Sequence, residues 1–308
     1  MISVVRAIPL LALMIGFQSQ AQKTDSSYIA SYNQKFRVIS YVSTNYLQVD
    51  DGVRNYTPNY PLTTGIGLAI KNTIISLDAG YSFFPLKNKN VYGRSKITDF
   101  QIHRYGRSSI VDFYYQNYQG FYTQKKEGQV DEVLPDMGVL QIGAEYSHIL
   151  TGKQFSSKAA FDLNEIQKRS SGSWLVGGGA YFSRIKGLHH DISDHVNNLE
   201  NFQLGFNAGY GYSWVLNDRW MLTAMAKAGV NFGNIPREVS KLKIEIFPTA
   251  YARFSGNYHK DDWGLSLSFF IGNKSISPLN DRSINLTSVN MQLSYVKHID
   301  HLFKKKRD

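Results

Sequence analysis

The sequence predicts an all-β fold, an antiparallel up-and-down transmembrane β-barrel of about 12 strands within a range of 10–14. Three observations predict it. Apolar and polar residues alternate with period two along most of the chain, as they do in pleated strands. Aromatic residues are abundant, at 14% with 20 Tyr, 18 Phe and 4 Trp. Beyond the first segment, no apolar run approaches the ~18 residues of a helical span. A membrane protein without such a run must cross as a closed barrel, because only helices and closed barrels satisfy every backbone polar group in lipid.

The first segment reads as an address. Arg6 supplies a positive start, Ala7 to Phe17 is apolar, and Ser19-Gln20-Ala21 is a small-x-small cleavage site. Residues 1–21 are therefore expected to be a secretory signal peptide cut between Ala21 and Gln22. Residues 22–35 are polar and expected to be flexible. The barrel is expected over 36–300, and 301–308 (HLFKKKRD) forms a basic tail.

The clearest strand is 202–214. Phe202, Leu204, Phe206, Ala208, Tyr210, Tyr212 and Trp214 share one face, against Gln203, Gly205, Asn207, Gly209, Gly211 and Ser213. The same alternation marks 139–147, 174–182, 263–271 and 287–295. A soluble lipocalin-like carrier would turn the apolar face inward, whereas a membrane barrel turns it outward. The polar faces carry Gly, Ser, Asn and Gln rather than the Lys and Glu of a solvated sheet, which favours the barrel. Twelve steps from Phe202 to Trp214, tilted at ~45°, cover about 28 Å, near the apolar band between aromatic girdles. Trp174, Phe182, Phe202, Trp214 and Trp263 are the expected girdle.

Candidate strands fall near 36–48, 62–70, 73–83, 96–104, 109–122, 138–150, 155–166, 172–184, 202–215, 219–232, 241–256, 262–272 and 285–297. That is an odd number, whereas single-chain bacterial barrels have even counts. Long and short links alternate along the chain, and the alternation slips between 151 and 200. Counting 155–184 as one spanning strand restores it and gives twelve.

Several ionisable residues fall on the polar faces: Asp78, Asp99, His103, Asp112, Glu145, Asp162, Lys227, Glu245 and Arg253. They are expected to form a salt-bridged network in the lumen, because a charge there avoids the ~2–4 kcal/mol cost of a lipid-facing Arg or Lys. A conducting or catalytic lining is the competing reading. His189, His190, Asp191, Asp194 and His195 have metal-ligand chemistry, yet they crowd one link without a recognised spacing, so a solvated loop is expected and no metal. Ser147 and His148 are adjacent and point to opposite faces of a strand, which disfavours the outer-membrane lipid-modifying hydrolase. Gly177-Gly178-Gly179 lacks the Lys-Ser/Thr of a phosphate loop and reads as close packing in a wall. No catalytic residue and no cofactor are assigned. With no cysteine, a disulfide scaffold, a thiolate metal site, a catalytic thiol and a lipidated cysteine are excluded.

Three runs carry a family resemblance: YPLTTGIGLAIKNTIISLDAGYSF (60–83), ITDFQIHRYGRSSIVDFYYQNYQGFY (97–122) and DLNEIQKRSSGSWLVGGGAYF (162–182). In this order they resemble a family of uncharacterised outer-membrane β-barrel proteins of Bacteroidetes-type bacteria, grouped as a domain of unknown function. The resemblance covers roughly 36–300 and implies a barrel of unassigned role, structural or transport-related, with no catalytic residues to transfer. One departure is the chain end: KHIDHLFKKKRD follows the last strand, where many such barrels end on an aromatic.

The expected location is the outer membrane of a Gram-negative bacterium. The expected partners are outer-membrane lipid, lipopolysaccharide and the barrel-assembly machinery, with no nucleic acid, and the expected state is a monomer. The net charge of +10 suits anionic headgroups.

Overall fold

The computed structural model describes residues 24–34, 36–59, 62–70, 73–78, 87–124, 129–188, 198–234, 244–279 and 282–300. The segment expected to be a signal peptide, the Ala21–Gln22 cut and the basic tail lie outside them. Among the described residues the strands are β1 (Ile29–Ser31), β2 (Phe36–Asp50), β3 (Asn55–Pro58), β4 (Thr63–Ile70), β5 (Thr73–Asp78), β6 (Lys96–Tyr105), β7 (Ser109–Gln124), β8 (Val130–Ile149), β9 (Glu165–Gln167), β10 (Ser171–Lys186), β11 (Asn198–Val215), β12 (Trp220–Asn234), β13 (Glu245–Lys260), β14 (Trp263–Leu279) and β15 (Arg282–Ile299).

The wall is antiparallel, and its strands follow the chain order apart from β3. β15 pairs with β2 from Asn285↔Asp50 to Ile299↔Phe36, which closes the ring. Between β2 and β7 the ring closes along two routes. A twelve-strand circuit passes through β4, β5 and β6, and a ten-strand circuit takes the shortcut of β3. The routes lie at different heights. β4 bonds to Phe36–Ser43 of β2, whereas β3 bonds to Val49 and Asp50 and to Phe121, Tyr122 and Thr123 of β7. A closed ring leaves no free edge to template aggregation.

Exposure settles which face looks out. On β11, Phe202, Leu204, Phe206, Tyr210 and Trp214 are exposed, while Asn201, Gln203, Asn207 and Ser213 between them are buried. Trp174 is 61% exposed and Phe206 70%, values that a core-facing aromatic would not show. The apolar stripe is thus the outer surface, the reverse of a lipocalin. No described helix is long and apolar enough to cross a membrane; the wall itself is the candidate span.

All four tryptophans sit near one rim. Trp174 is three residues into β10, Trp214 is one from the end of β11, and Trp220 and Trp263 open β12 and β14. This is the short-turn rim, where Leu216–Arg219 and Asp261–Asp262 connect strands. Tyrosines pack beside them: Trp174 meets Tyr210 edge-on at 5.2 Å, and Trp220 and Trp263 flank Tyr258 at 5.0 and 5.5 Å. Phe182 and Phe202 are direct cross-strand partners at the opposite level of the wall.

Three sequence expectations change. Residues 155–166 are not a strand. They form a helix, Ser157–Asp162, capped by the Ser156 hydroxyl accepting from the Ala159 amide, and then β9. This removes the thirteenth strand, and 171–186 alone spans the wall in that region. The long link expected at 123–137 is mostly strand, because β7 and β8 extend past the band as a hairpin, pairing out to Gln124↔Val130. Residues 24–34, expected to be flexible, are held: β1 pairs with β9 from Ile29↔Gln167 to Ser31↔Glu165, and the Asp25 amide donates to the Lys153 carbonyl.

The segment between β8 and β10 folds back into the ring with β1, forming a plug at the short-turn end. Phe155, Ala159, Ala160 and Leu163 are buried there among Ile39, Tyr41, Tyr105, Ile149 and Leu175 of the wall. A second apolar cluster, with Leu47, Tyr56, Phe121, Met137, Ile276 and Leu286, fills the interior toward the long-link end. The polar lumen residues lie between these two layers.

Candidate functional site

The lumen face of each strand carries every second residue, so charges there arrive at one height from many strands. Glu145 of β8 is the centre. Its Oε1 accepts from Lys227 Nζ at 2.8 Å and from the Tyr251 hydroxyl, and its Oε2 accepts from the Tyr181 hydroxyl at 2.9 Å. Lys227 also donates to the Ser147 hydroxyl, and its side chain is only 1% exposed. A buried lysine is stable there because the carboxylate neutralises it and the hydroxyl accepts a second of its hydrogen bonds.

A second relay crosses β6 and β7. The Gln116 and Gln101 side-chain amides donate to Asp99 at 3.0 Å, which fixes the Gln101 orientation. Gln101 Oε1 then faces His103 Nε2 at 3.0 Å, and His103 Nδ1 lies 2.6 Å from Asp112 Oδ1. This consumes the imidazole nitrogen that would activate a serine in a Ser–His–Asp arrangement. Arg253 donates to the Tyr105 hydroxyl at 2.9 Å and lies over the rings of Phe161 and Phe270.

Asp162 ends the lumenal helix and faces the wall. Arg37 Nη1 lies 2.6 Å from its Oδ1, with side-chain exposures of 1% and 0%, and also donates to the Asp162 carbonyl at 2.9 Å. A further cluster ties the plug to the β6–β7 turn. Arg107 meets Glu165 through two nitrogens at 2.6 and 3.1 Å, while the Ser156 hydroxyl and Lys158 also donate to Glu165.

Of the nine residues expected in the lumen network, seven come together this way: Asp99, His103, Asp112, Glu145, Asp162, Lys227 and Arg253. Glu245 opens β13 at the long-link rim and does not line the central cavity. Asp78 closes β5, and its side chain lies outside the described residues, as does the whole His189–His195 cluster. No group of three metal-ligating side chains occurs among the described residues. Ser147 points inward and is 1% exposed, whereas His148 points outward toward Tyr146, so the pair does not meet.

Sequence reasoning missed Arg37, Glu165 and Lys274. Lys274 lies three residues beyond the last alternating residue recognised in β14; extending the period by two steps would have placed it on the lumen face. It also missed the tyrosine–glycine pairing. Tyr41 and Tyr114 lie across their cross-strand partners Gly65 and Gly143. A Cβ at Gly143 would lie 2.3 Å from the Tyr114 ring, and one at Gly65 would lie 2.2 Å from the Tyr41 ring. Gly179, the last of the glycine run, would place a Cβ 2.5 Å from the Tyr181 hydroxyl that reaches Glu145. The glycines make room for large rings inside a narrow ring of strands.

A cavity of about 260 Å³ remains between these groups. Its lining includes Tyr41, His103, Glu145, Tyr251, Arg253 and Lys274.

A family model matches residues 23–296, almost the whole described chain. The chain belongs to the family described as a domain of unknown function, DUF4421. The strand order, the plug and the lumen network therefore describe a DUF4421 member. No curated protein matches the sequence. Among solved structures, the chain is similar to the translocator domain of the autotransporter NalP from Neisseria meningitidis, at 15% identity and a TM-score of 0.42, with 94% of each chain covered. It is also similar to the toluene transporter TodX of P. putida, at 8% identity and a TM-score of 0.29, covering 88% of this chain and 91% of that one. OmpT of Vibrio cholerae aligns at 8% identity and a TM-score of 0.28, covering 89% and 100%. These likenesses are loose, and the barrel assignment rests on the strand pairings themselves.

Proposed function

We propose that this DUF4421 protein is an outer-membrane β-barrel with a sealed lumen, serving a structural or gated transport role rather than acting as an open diffusion pore. One observation carries the reading. The outer surface is an apolar belt rimmed by tryptophan, while the interior is a polar layer closed above and below by buried apolar clusters. An open porin keeps a water-filled interior, whereas a lumen filled by ion pairs between wall strands and between wall and plug holds little mobile water. The protein reaches the outer membrane by export through a signal peptide and insertion by the barrel-assembly machinery. It sits there as a monomer among phospholipid and lipopolysaccharide headgroups.

The test combines fractionation and conductance. Full-length protein is expected in the membrane pellet, soluble only with detergent. In planar bilayers it is expected to give no steady open-channel current. A chain that stays in the supernatant without detergent overturns the membrane reading, and a stable large conductance overturns the sealed lumen. Lipid hydrolysis by the purified barrel would favour the hydrolase instead; the separation of Ser147 from His148 speaks against it.

A further inference from the structure

We infer that the lumen cavity is a binding site for a small aromatic carboxylate. The inference rests on the sealed-barrel reading and names what that lumen holds.

The charge pairing around the cavity is uneven. Each acidic lining group is matched at short range: Asp112 to His103, Glu145 to Lys227 and Asp162 to Arg37. Two lining cations are not matched in this way. Among the described residues, neither Arg253 nor Lys274 has a carboxylate in ion-pair contact. Each donates instead to a phenol, Arg253 to Tyr105 at 2.9 Å and Lys274 to Tyr114 at 2.5 Å. A guanidinium has five donors and an ammonium three, so both retain hydrogen-bonding capacity facing the cavity. Both side chains are half-buried, Arg253 with Asp112 and Glu145 acting on it only at longer range, and a half-buried cation with spare donors is stabilised further by an anion.

The rest of the lining sets the shape of that anion. Lys274 lies 5.0 Å from the Tyr114 ring centre, and Arg253 lies over Phe161 and Phe270. Tyr251 and Met225 add further apolar surface. Flat rings stack well against such walls, and a carboxylate suits a guanidinium or ammonium at one end. The volume of about 260 Å³ lies below the usual ~300–1,000 Å³ of ligand pockets. It corresponds to roughly nine waters, room for a single-ring acid and not for a lipid or an oligosaccharide.

The experiment uses the full chain refolded in detergent, with the heat-modifiable gel shift as the measure of folded barrel. A ligand that binds only the native state raises the unfolding midpoint. Benzoate present during refolding is expected to raise it, whereas benzamide and phosphate are not. Lys274→Gln, which keeps a donor for Tyr114, is expected to weaken the benzoate effect at least tenfold in concentration while folding normally. Lys274→Arg is expected to restore it, and Arg253→Lys is a second variant on the other cation. A shift with benzamide equal to that with benzoate, an unchanged response in Lys274→Gln, or no shift with benzoate overturns the site. A barrel that still requires detergent and stays non-conducting while failing to bind overturns only this inference. A conducting barrel overturns the sealed lumen beneath it.

Discussion

At the scale of single residues, the lumen is governed by the cost of leaving a charge unpaired. Arg37 and Asp162 are both excluded from solvent and lie 2.6 Å apart. Removing one partner of a buried ion pair costs about 3–5 kcal/mol because the other charge stays behind. Arg37→Met is therefore expected to lower the urea midpoint of the folded barrel strongly, and Arg37→Met with Asp162→Leu to recover much of the loss. Equal loss in the single and double variants would show that shape, not charge, holds the contact. Gly143→Val makes a related case. The Tyr114 ring occupies the space of the missing side chain, so valine is expected to cut the folded fraction on a gel, with Tyr114→Ala partly rescuing it. These positions differ in how readable they were. Asp112, Glu145, Lys227 and Arg253 announce themselves by falling on the polar side of an alternating run. Arg37 is the second residue of its strand, where the period is too short to assign a face, and Lys274 lies beyond the stretch of β14 whose alternation is clear. The tyrosine over Gly143 belongs to the register between strands, which a single segment does not encode.

At the scale of elements, the plug is the part that sequence patterning misread. Phe155, Ala159, Phe161 and Leu163 alternate as a strand would, yet Phe155, Ala159 and Leu163 also fall at helical spacing. A short window satisfies both periods, and burial on all sides removes the polar face that would choose between them. The slipping of long and short links was the better guide, because it reflects which rim each turn occupies. The plug is fastened to the β6–β7 turn through Glu165, which accepts hydrogen bonds from Arg107, Lys158 and Ser156. Glu165→Ala leaves Arg107 and Lys158 without this acceptor. It is expected to loosen the plug and to raise brief, flickering conductance in bilayers where the parent is silent. Silence in the variant would place the seal in the apolar cluster at the long-link end.

At the scale of the whole molecule, the barrel has two unlike rims. The four tryptophans gather at the short-turn rim, while Phe182 and Phe202 mark the other level. Tryptophan favours the headgroup region, where an apolar ring and an N–H are both satisfied. In vesicles made with brominated lipids, quenching of tryptophan emission is expected to be strongest with bromine near the headgroup end of the acyl chain. Maximal quenching with bromine near the chain terminus would place the rim at the wrong depth. The fold class was legible because alternation, lumen chemistry and link lengths agreed over many strands. The double closure between β2 and β7 was not, since β3 has only four residues.

The seam where the first long strand meets the last has one further property. Arg37 and His298 are register partners across it. Arg37 grips Asp162 on the plug, and the His298 ring stacks on Tyr32 at 3.7 Å, next to β1. The clasp of the ring and the latch of its stopper are thus neighbouring residues. A chain that zipped its two outermost strands before the stopper had arrived would close the joint without the Asp162 carboxylate that meets Arg37, so the seam and the stopper complete one another.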